Sequence, residues 1–290
     1  MNKSTTVPFD CGVTIEEQLE KVYLEKIDIL FITNHNTLNG YKQMIEYQRN
    51  HEKYKNIMIF PGEEVTVNNG GHVLSYGIYD GIKPGMTVEE TIDEIKRQNA
   101  ISCAAHPFAV SNGIRDSAKM CDIMESFNSN NIDNFSNIVA EKFAKENNML
   151  SIAGSDSHVK STIGRCLNTL EADKTIDSVI DSMRHGKFDI IRKNYANKEE
   201  LYEQAHYILS QSRNSVLETI LKTNPKVYPL FKWLLDKFIS KPDMRLWRLM
   251  GSIGFYLSKR MSKKVNIKGH DPNVFQNRSW KNLILLSLIP

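Results

Sequence analysis

Between Thr14 and Ile191 the chain repeats one arrangement: a helix-patterned segment, a short apolar run, then a polar residue able to do chemistry. Short strands alternating with helices define a mostly parallel sheet, closed or open, with the helices outside it. The spacing predicts a first helix opening at Thr14, where Glu17 stands at the capping-box position and Ile15, Leu19, Val22 and Tyr23 share a face. Strand 27–33, helix 38–50, strands 57–62 and 72–78, helix 87–99 opened by Thr87, and strand 101–105 follow. A strand near 122–127, helix 133–148, strand 150–154, helix 174–185 and strand 188–191 complete the series.

Beyond Lys193 the strand pattern stops, and 198–222, 226–239 and 243–262 are predicted helices with Pro225, Pro229 and Pro242 near their starts. We therefore expect two units, an α/β unit over 1–193 and an α-helical extension over 194–290. Charge divides the chain at the same place: residues 1–191 carry 19 Lys+Arg against 27 Asp+Glu, and 192–290 carry 18 against 7. A hydrophobic content of 41% and a charged content of 24% are those of a globular protein. Cys11, Cys103, Cys121 and Cys166 are too scattered for a metal-binding pair and are read as reduced thiols. With no signal-peptide pattern, and with "ILFI" and "LILLSLIP" as the longest apolar stretches against the ~20 residues of a membrane span, the expectation is a cytoplasmic protein without a transmembrane segment.

In a parallel barrel the strand C-termini open on one face, where catalytic residues are found. The residues after the apolar runs should therefore converge: His35, the pair Glu63 and Glu64, His106, Glu125 with Asn128, then Asp156 and His158. Singly each reads as a turn residue or a helix cap. Together, imidazoles and carboxylates at successive strand ends are the ligand set of a metal such as zinc or manganese.

The same residues carry a resemblance. "ITNHNT", "PGEEVT", "GHVLSYG", "AAHPF", "MESFN" and "GSDSH" resemble, in order, the T-D-H-x-T, G-x-E, H-x-L-G-Y-like, A-H-P, E-x-x-N and D-x-H motifs of the polymerase-and-histidinol-phosphatase (PHP) family, over roughly residues 10–193. The resemblance implies a distorted (β/α)7 barrel with two or three divalent metal ions, zinc or manganese with magnesium as a further option, at the strand C-termini. It implies phosphoesterase activity on a phosphorylated small molecule, a nucleotide or a nucleic-acid end, as a phosphatase or an exonuclease. Carried onto this chain, Glu64 would bridge two metals, His72 and His106 would be ligands of the cluster, Asp156 would bind the first metal, and His35 with His158 would hold a third. Arg115, after "HPF", and Lys160, after "GSDSHV", are candidates to neutralise a substrate phosphate, Lys160 being the more ordinary loop charge. Glu64, Asp156 and Arg115 are thus the expected catalytic residues.

Two departures stand out. The family opens with a strand ending in H-x-H, whereas no histidine precedes His35 here, and Asp10 is only a loose match to the family's S-D-G aspartate. Asn34 stands where the family has aspartate. Either the true start lies upstream of Met1, the reading the loop-like "KSTTVPFDCG" favours, or the chain is a degenerate module that binds metal or phosphate without hydrolysis. Finally, residues 243–264 interleave Arg245, Arg248, Lys259, Arg260, Lys263 and Lys264 with apolar and aromatic residues. Such a helix packs its apolar side on the barrel, or contacts an anionic membrane surface or nucleic acid.

Overall fold

The computed structural model describes residues 11–272; Asp10 and "LILLSLIP" lie outside the described residues. The chain begins with α1 (Ile15–Leu24), held at its start by the expected capping box, in which Glu17 N donates to the Thr14 side chain. β1 (Ile29–Ile32), α2 (Asn39–Arg49), β2 (Met58–Thr66), β3 (His72–Tyr76), α3 (Val88–Arg97), β4 (Ile101–Ala104), β5 (Ile123–Asn128), α4 (Phe135–Glu146) and β6 (Leu150–Gly154) follow. These strands form one sheet in sequence order, β1 to β6. Pairs β1/β2, β4/β5 and β5/β6 are parallel, but β2/β3 and β3/β4 are antiparallel, because β2 and β3 are joined by a tight turn too short for a crossover.

β7 (Cys166–Leu170) is a strand the sequence pattern did not isolate. It pairs antiparallel with β8 (Phe188–Lys193) around α5 (Ile176–Arg184) as a separate ladder. Side chains join that ladder to β6: Asn168 Nδ2 donates to Ala153 O, Ala153 N donates to Asn168 Oδ1, and Cys166 N donates to Ser155 Oγ. Among the described residues β1 pairs only with β2, so the sheet is an arc with an opening between β1 and β7 rather than a closed ring.

Strand alternation assigns the two faces of this arc. Ile29, Phe31, Phe60, Leu74, Tyr76, Ile101, Cys103, Ala105, Ile123 and Ile152 pack together on the concave side with Val179 and Phe188. Val65, Val73, Ala104 and Met124 face outward onto α3 and α4, and Ile32 and Ile59 onto α1 and α2.

The helical extension is α6 (Lys198–Gln211), α7 (Arg213–Thr223), α8 (Tyr228–Ser240) and α9 (Arg245–Asn266). The single helix expected over 198–222 divides at Ser212. The far end of α9 returns to the sheet unit: Ser262 Oγ donates to Asp133 Oδ1 (2.6 Å), and Asn266 Nδ2 donates to Phe108 O (3.1 Å). Leu249, Ile253 and Tyr256 on α9 remain exposed. No described helix is long and apolar enough to cross a membrane.

Candidate functional site

Register brings His35 and Glu64 together. β1 and β2 pair with a constant offset, Ile29 with Met58 through Ile32 with Pro61, and the same offset reappears past the strand end as a bridge between His35 and Glu64. Backbone bonds from Glu64 N to Asn34 O and from Asn36 N to Glu64 O close it. Alternation then places Glu64 on the concave face with Phe60, while Glu63 lies behind the sheet, buried, accepting a bond from Ile82 N (2.9 Å). Glu64 opposes Leu74 and Thr66 opposes His72, so His72 is the diagonal same-face neighbour of Glu64.

Three imidazoles surround this one carboxylate. Glu64 Oε1 is 2.7 Å from His72 Nδ1 and 3.1 Å from His106 Nε2, and Glu64 Oε2 is 3.5 Å from His35 Nε2. One ligand atom from each of His35, Glu64 and His72 falls within 4.8 Å of the others, the spacing of a group that could hold a metal ion. Three strands end on residues with left-handed backbones near this point: Asn36 (φ 53°) after β1, His106 (φ 26°) after β4 and Asp156 (φ 46°) after β6. Such conformations cost on the order of 1–3 kcal/mol each outside glycine, and collect where a site needs a side chain turned inward.

Glu125 supports this turn. Its Oε2 accepts bonds from His106 N (2.7 Å) and Asn128 Nδ2 (2.9 Å), and its other oxygen covers Gly154, where a Cβ would lie 1.7 Å away. Only glycine leaves room for that carboxylate. Burial pushes the Glu125 carboxyl up to about 7, despite the opposing charge of His106. For Glu64 burial acts in the same direction, but the contacts of His106 and His72 outweigh it and hold the carboxyl well below the usual range. Burial disfavours the His106 imidazolium, and the bond and charge of Glu64 overcome it, raising the ring to about 9. His106 Nδ1 is buried and has no hydrogen-bond partner among the described residues. Three imidazoles around one buried carboxylate fit a divalent cation, which would take the place of the protons now shared among them.

Asp156 and His158 reach the same place from β6. His158 Nδ1 lies 2.9 Å from Asp156 O and 3.4 Å from its carboxylate, and both residues line one cavity with His35, Glu64, His106 and Glu125. This cavity, about 380 Å³, is lined by these polar groups and by apolar residues of β1, β3, β7 and β8 that include Phe31, Leu74, Leu170 and Phe188. The structure thus gathers His35, Glu64, His72, His106, Asp156 and His158. Arg115 stands apart: its guanidinium donates to Asn266 Oδ1 (2.8 Å) and lies over the Phe108 ring, so it is engaged with α9. Lys160 is exposed beyond this cavity, in a turn beside Glu17 and Glu20 of α1. Gly154 and the α9 residues Ser262 and Asn266 carried no signal of their own in the sequence; for Gly154 the signal was its place opposite Asn128, beside the buried Glu125.

A family model described as PHP-associated matches residues 134–188, the segment from α4 through β6 to β8. The matched family is the one that the ordered motifs resemble. Among curated proteins the chain is similar to the uncharacterized protein MJ1587 of Methanocaldococcus jannaschii, 28% identical over 151 residues, which are 50% of this chain and 85% of the relative. Among solved structures it is similar to PsfC from Pseudomonas syringae PB-5123 (TM-score 0.52, 16% identity, 67% of this chain and 88% of that one). It is also similar to the lesion-specific endonuclease PfuEndoQ from Pyrococcus furiosus (TM-score 0.47, 16% identity), covering 65% of this chain and 56% of that one.

Proposed function

We propose that this chain is a metal-dependent phosphoesterase of the PHP family acting on a phosphomonoester or a nucleic-acid end, with Glu64, His72, His106, Asp156, His35 and His158 holding two or three ions. One observation carries the reading: a single buried carboxylate, Glu64, which lines a cavity, is shared by three imidazoles. Imidazole and carboxylate together suit zinc or manganese better than magnesium, which prefers oxygen alone. A divalent ion bound there supplies a water of lowered pKa and a Lewis acid for the phosphoryl oxygens. The protein's own part is positional. Glu125 fixes the His106 backbone, His106 at its left-handed turn meets Glu64, and Asp156 at the corresponding turn after β6 meets His158 in the same cavity.

The alternative, a module that binds metal without hydrolysis, is favoured by Asn34. Its amide oxygen is buried without a partner against Gly40, where a Cβ would meet it at 1.8 Å, so no carboxylate adds charge beside His35. One experiment separates the two: elemental analysis of the purified chain with turnover of an aryl phosphate. Bound transition metal with turnover that Glu64→Gln abolishes supports the enzyme, bound metal without turnover supports the module, and no bound metal after metal-replete growth refutes both.

A further inference from the structure

A second cavity, about 520 Å³, opens beside the first and shares His106 and Asp156 with it. Its outer wall is α9, through Ser258, Met261 and Ser262, and its other wall is the loops after β4 and β5, through Asn112, Asn130 and Asn131. The wall is fixed in place. Asp133 accepts from Ser262 Oγ and also from Ser136 N (2.8 Å), which ties α9 to the start of α4, and Arg115 donates to Asn266 one turn further along α9. The volume falls in the ~300–1,000 Å³ of small-ligand sites.

Three features of this lining define its ligand. Among the described residues it contains no lysine or arginine to neutralise a second phosphate or a nucleic-acid backbone, whose binding depends on such cations. Among the described residues His106 is its one aromatic ring, which leaves a nucleobase little stacking face. What it offers is carboxamides and hydroxyls together with the carboxylates of Asp133 and Asp156, donors and acceptors that hydrogen-bond to alcohols while the carboxylates disfavour a second anion, and the Asn130 carboxamide makes no hydrogen bond to protein among the described residues. The geometry points to a site for the sugar or polyol half of a sugar phosphate, with α9 as the specificity wall of the active site. This rests on the phosphoesterase reading for the placement of the phosphate at Glu64, and the helical extension becomes part of the substrate site.

The test compares ribose 5-phosphate, AMP, an aryl phosphate and a 5′-phosphorylated oligonucleotide as substrates of the full chain. The site predicts the highest kcat/KM for ribose 5-phosphate. Met261→Trp, which fills the cavity, and Asn130→Leu, which removes its amide, should each lower that value at least tenfold more than the value for the aryl phosphate, chiefly through KM. A preference for AMP or the oligonucleotide, or equal losses on all substrates in both variants, overturns the proposal. Saturation-transfer NMR with ribose 5-phosphate gives a readout independent of turnover. If no phosphoester is hydrolysed, the phosphoesterase reading falls, while ribose 5-phosphate contact that Met261→Trp abolishes still supports the cavity; absence of contact in the parent chain overturns it.

Discussion

The sheet unit and the helical extension are built on opposite terms. In the first, β3, β4 and β5 are buried along their whole length, and Glu64, His72, His106 and Glu125 are all buried groups whose partners are one another. In the second, Leu230, Trp233, Leu249, Ile253 and Tyr256 stay exposed, and polar contacts join it to the sheet unit at two places, the far end of α9 and α6, where Glu200 pairs with Arg165 and Glu203 accepts from Ser161 Oγ. Burying ionised groups is costly unless each has a partner, so the sheet unit tolerates little change at its strand ends. The helical unit should tolerate change on its outer face and resist it at its buried residues Leu217, Leu235, Trp247 and Val265 and at its polar contacts with the sheet unit.

The largest effect should come from the shared carboxylate. Glu64→Gln keeps the volume but leaves three imidazoles around a neutral amide. Metal affinity should fall more than ~100-fold, the upper end of what loss of an outer-shell partner costs, and aryl phosphate turnover should fall with it. Titration with zinc or manganese, read by competition with a chromophoric chelator, checks this. Unchanged affinity would remove the sheet unit's cluster from the mechanism and with it the contrast between the units.

Next in size is Gly154→Ala. The added methyl would stand 1.7 Å from Glu125 Oε1, and the carboxylate cannot move without releasing His106 N. Overpacking of this kind costs typically ~1–3 kcal/mol and here should reach the top of that range, lowering the thermal midpoint and the metal affinity together. A stable variant with full metal affinity would show that the strand ends are looser than the burial implies.

On the helical side the contrast becomes a comparison within α9. Asn266→Ala removes the acceptor of Arg115, a cation half withdrawn from water, and the donor to Phe108 O, so about 1–3 kcal/mol should be lost. Ile253→Ser, on the exposed face, should change stability by no more than ~0.5 kcal/mol. Chemical unfolding of both variants measures the difference. Equal effects would mean that the outer face is packed as firmly as the inner one.

Much of this was legible because strands are periodic. The alternation of Ile29, Phe31 and His35 against Ile32 fixes which residues share the concave face, and apolar runs ending on His35, His106 and Asp156 mark where the chain turns at the rim. Both capping boxes, at Thr14 and Thr87, stand where the sequence places them because the cap is a local bond. Non-local pairing was less readable. β7 escaped because Cys166–Leu170 is short and polar and is joined to β6 through Asn168 and Ser155, and the antiparallel β2/β3/β4 pairs depend on a turn at Asn69–Gly71 whose tightness overrode the βα alternation. The use of α9 was hidden for a different reason: an amphipathic basic helix fits several partners equally well, and the choice rests on Ser262 and Asn266 meeting Asp133 and Phe108, contacts across more than a hundred residues.

The smallest effect is a single proton, and it tests the sheet unit alone. In the metal-free chain His106 is raised to about 9 by its pairing with Glu64, so the stability from this pair is complete below the ring's ordinary value near 6.5 and is lost as pH rises through about 9. Glu125, raised to about 7 by burial, acts in the same direction: its neutral form is favoured by the fold, and that contribution declines as pH rises from the ordinary carboxylate range to about 7. Glu64 has the opposite sign, since its depressed carboxyl contributes stability above the ordinary range that is lost on acidification. The metal-free chain should therefore be most stable at mildly acidic pH and weaken steadily toward pH 9. A cation at Glu64 must displace the His106 proton, so binding at pH 7 should release about one proton more than binding at pH 10, where the ring is already neutral. Calorimetric titration of zinc at each pH, in paired buffers of different ionisation enthalpy, counts that proton. Equal proton release at the two pH values would mean that His106 keeps its proton beside the metal and serves the site as a donor to Glu64, leaving His35 and His72 as the imidazole ligands of the shared carboxylate's ion.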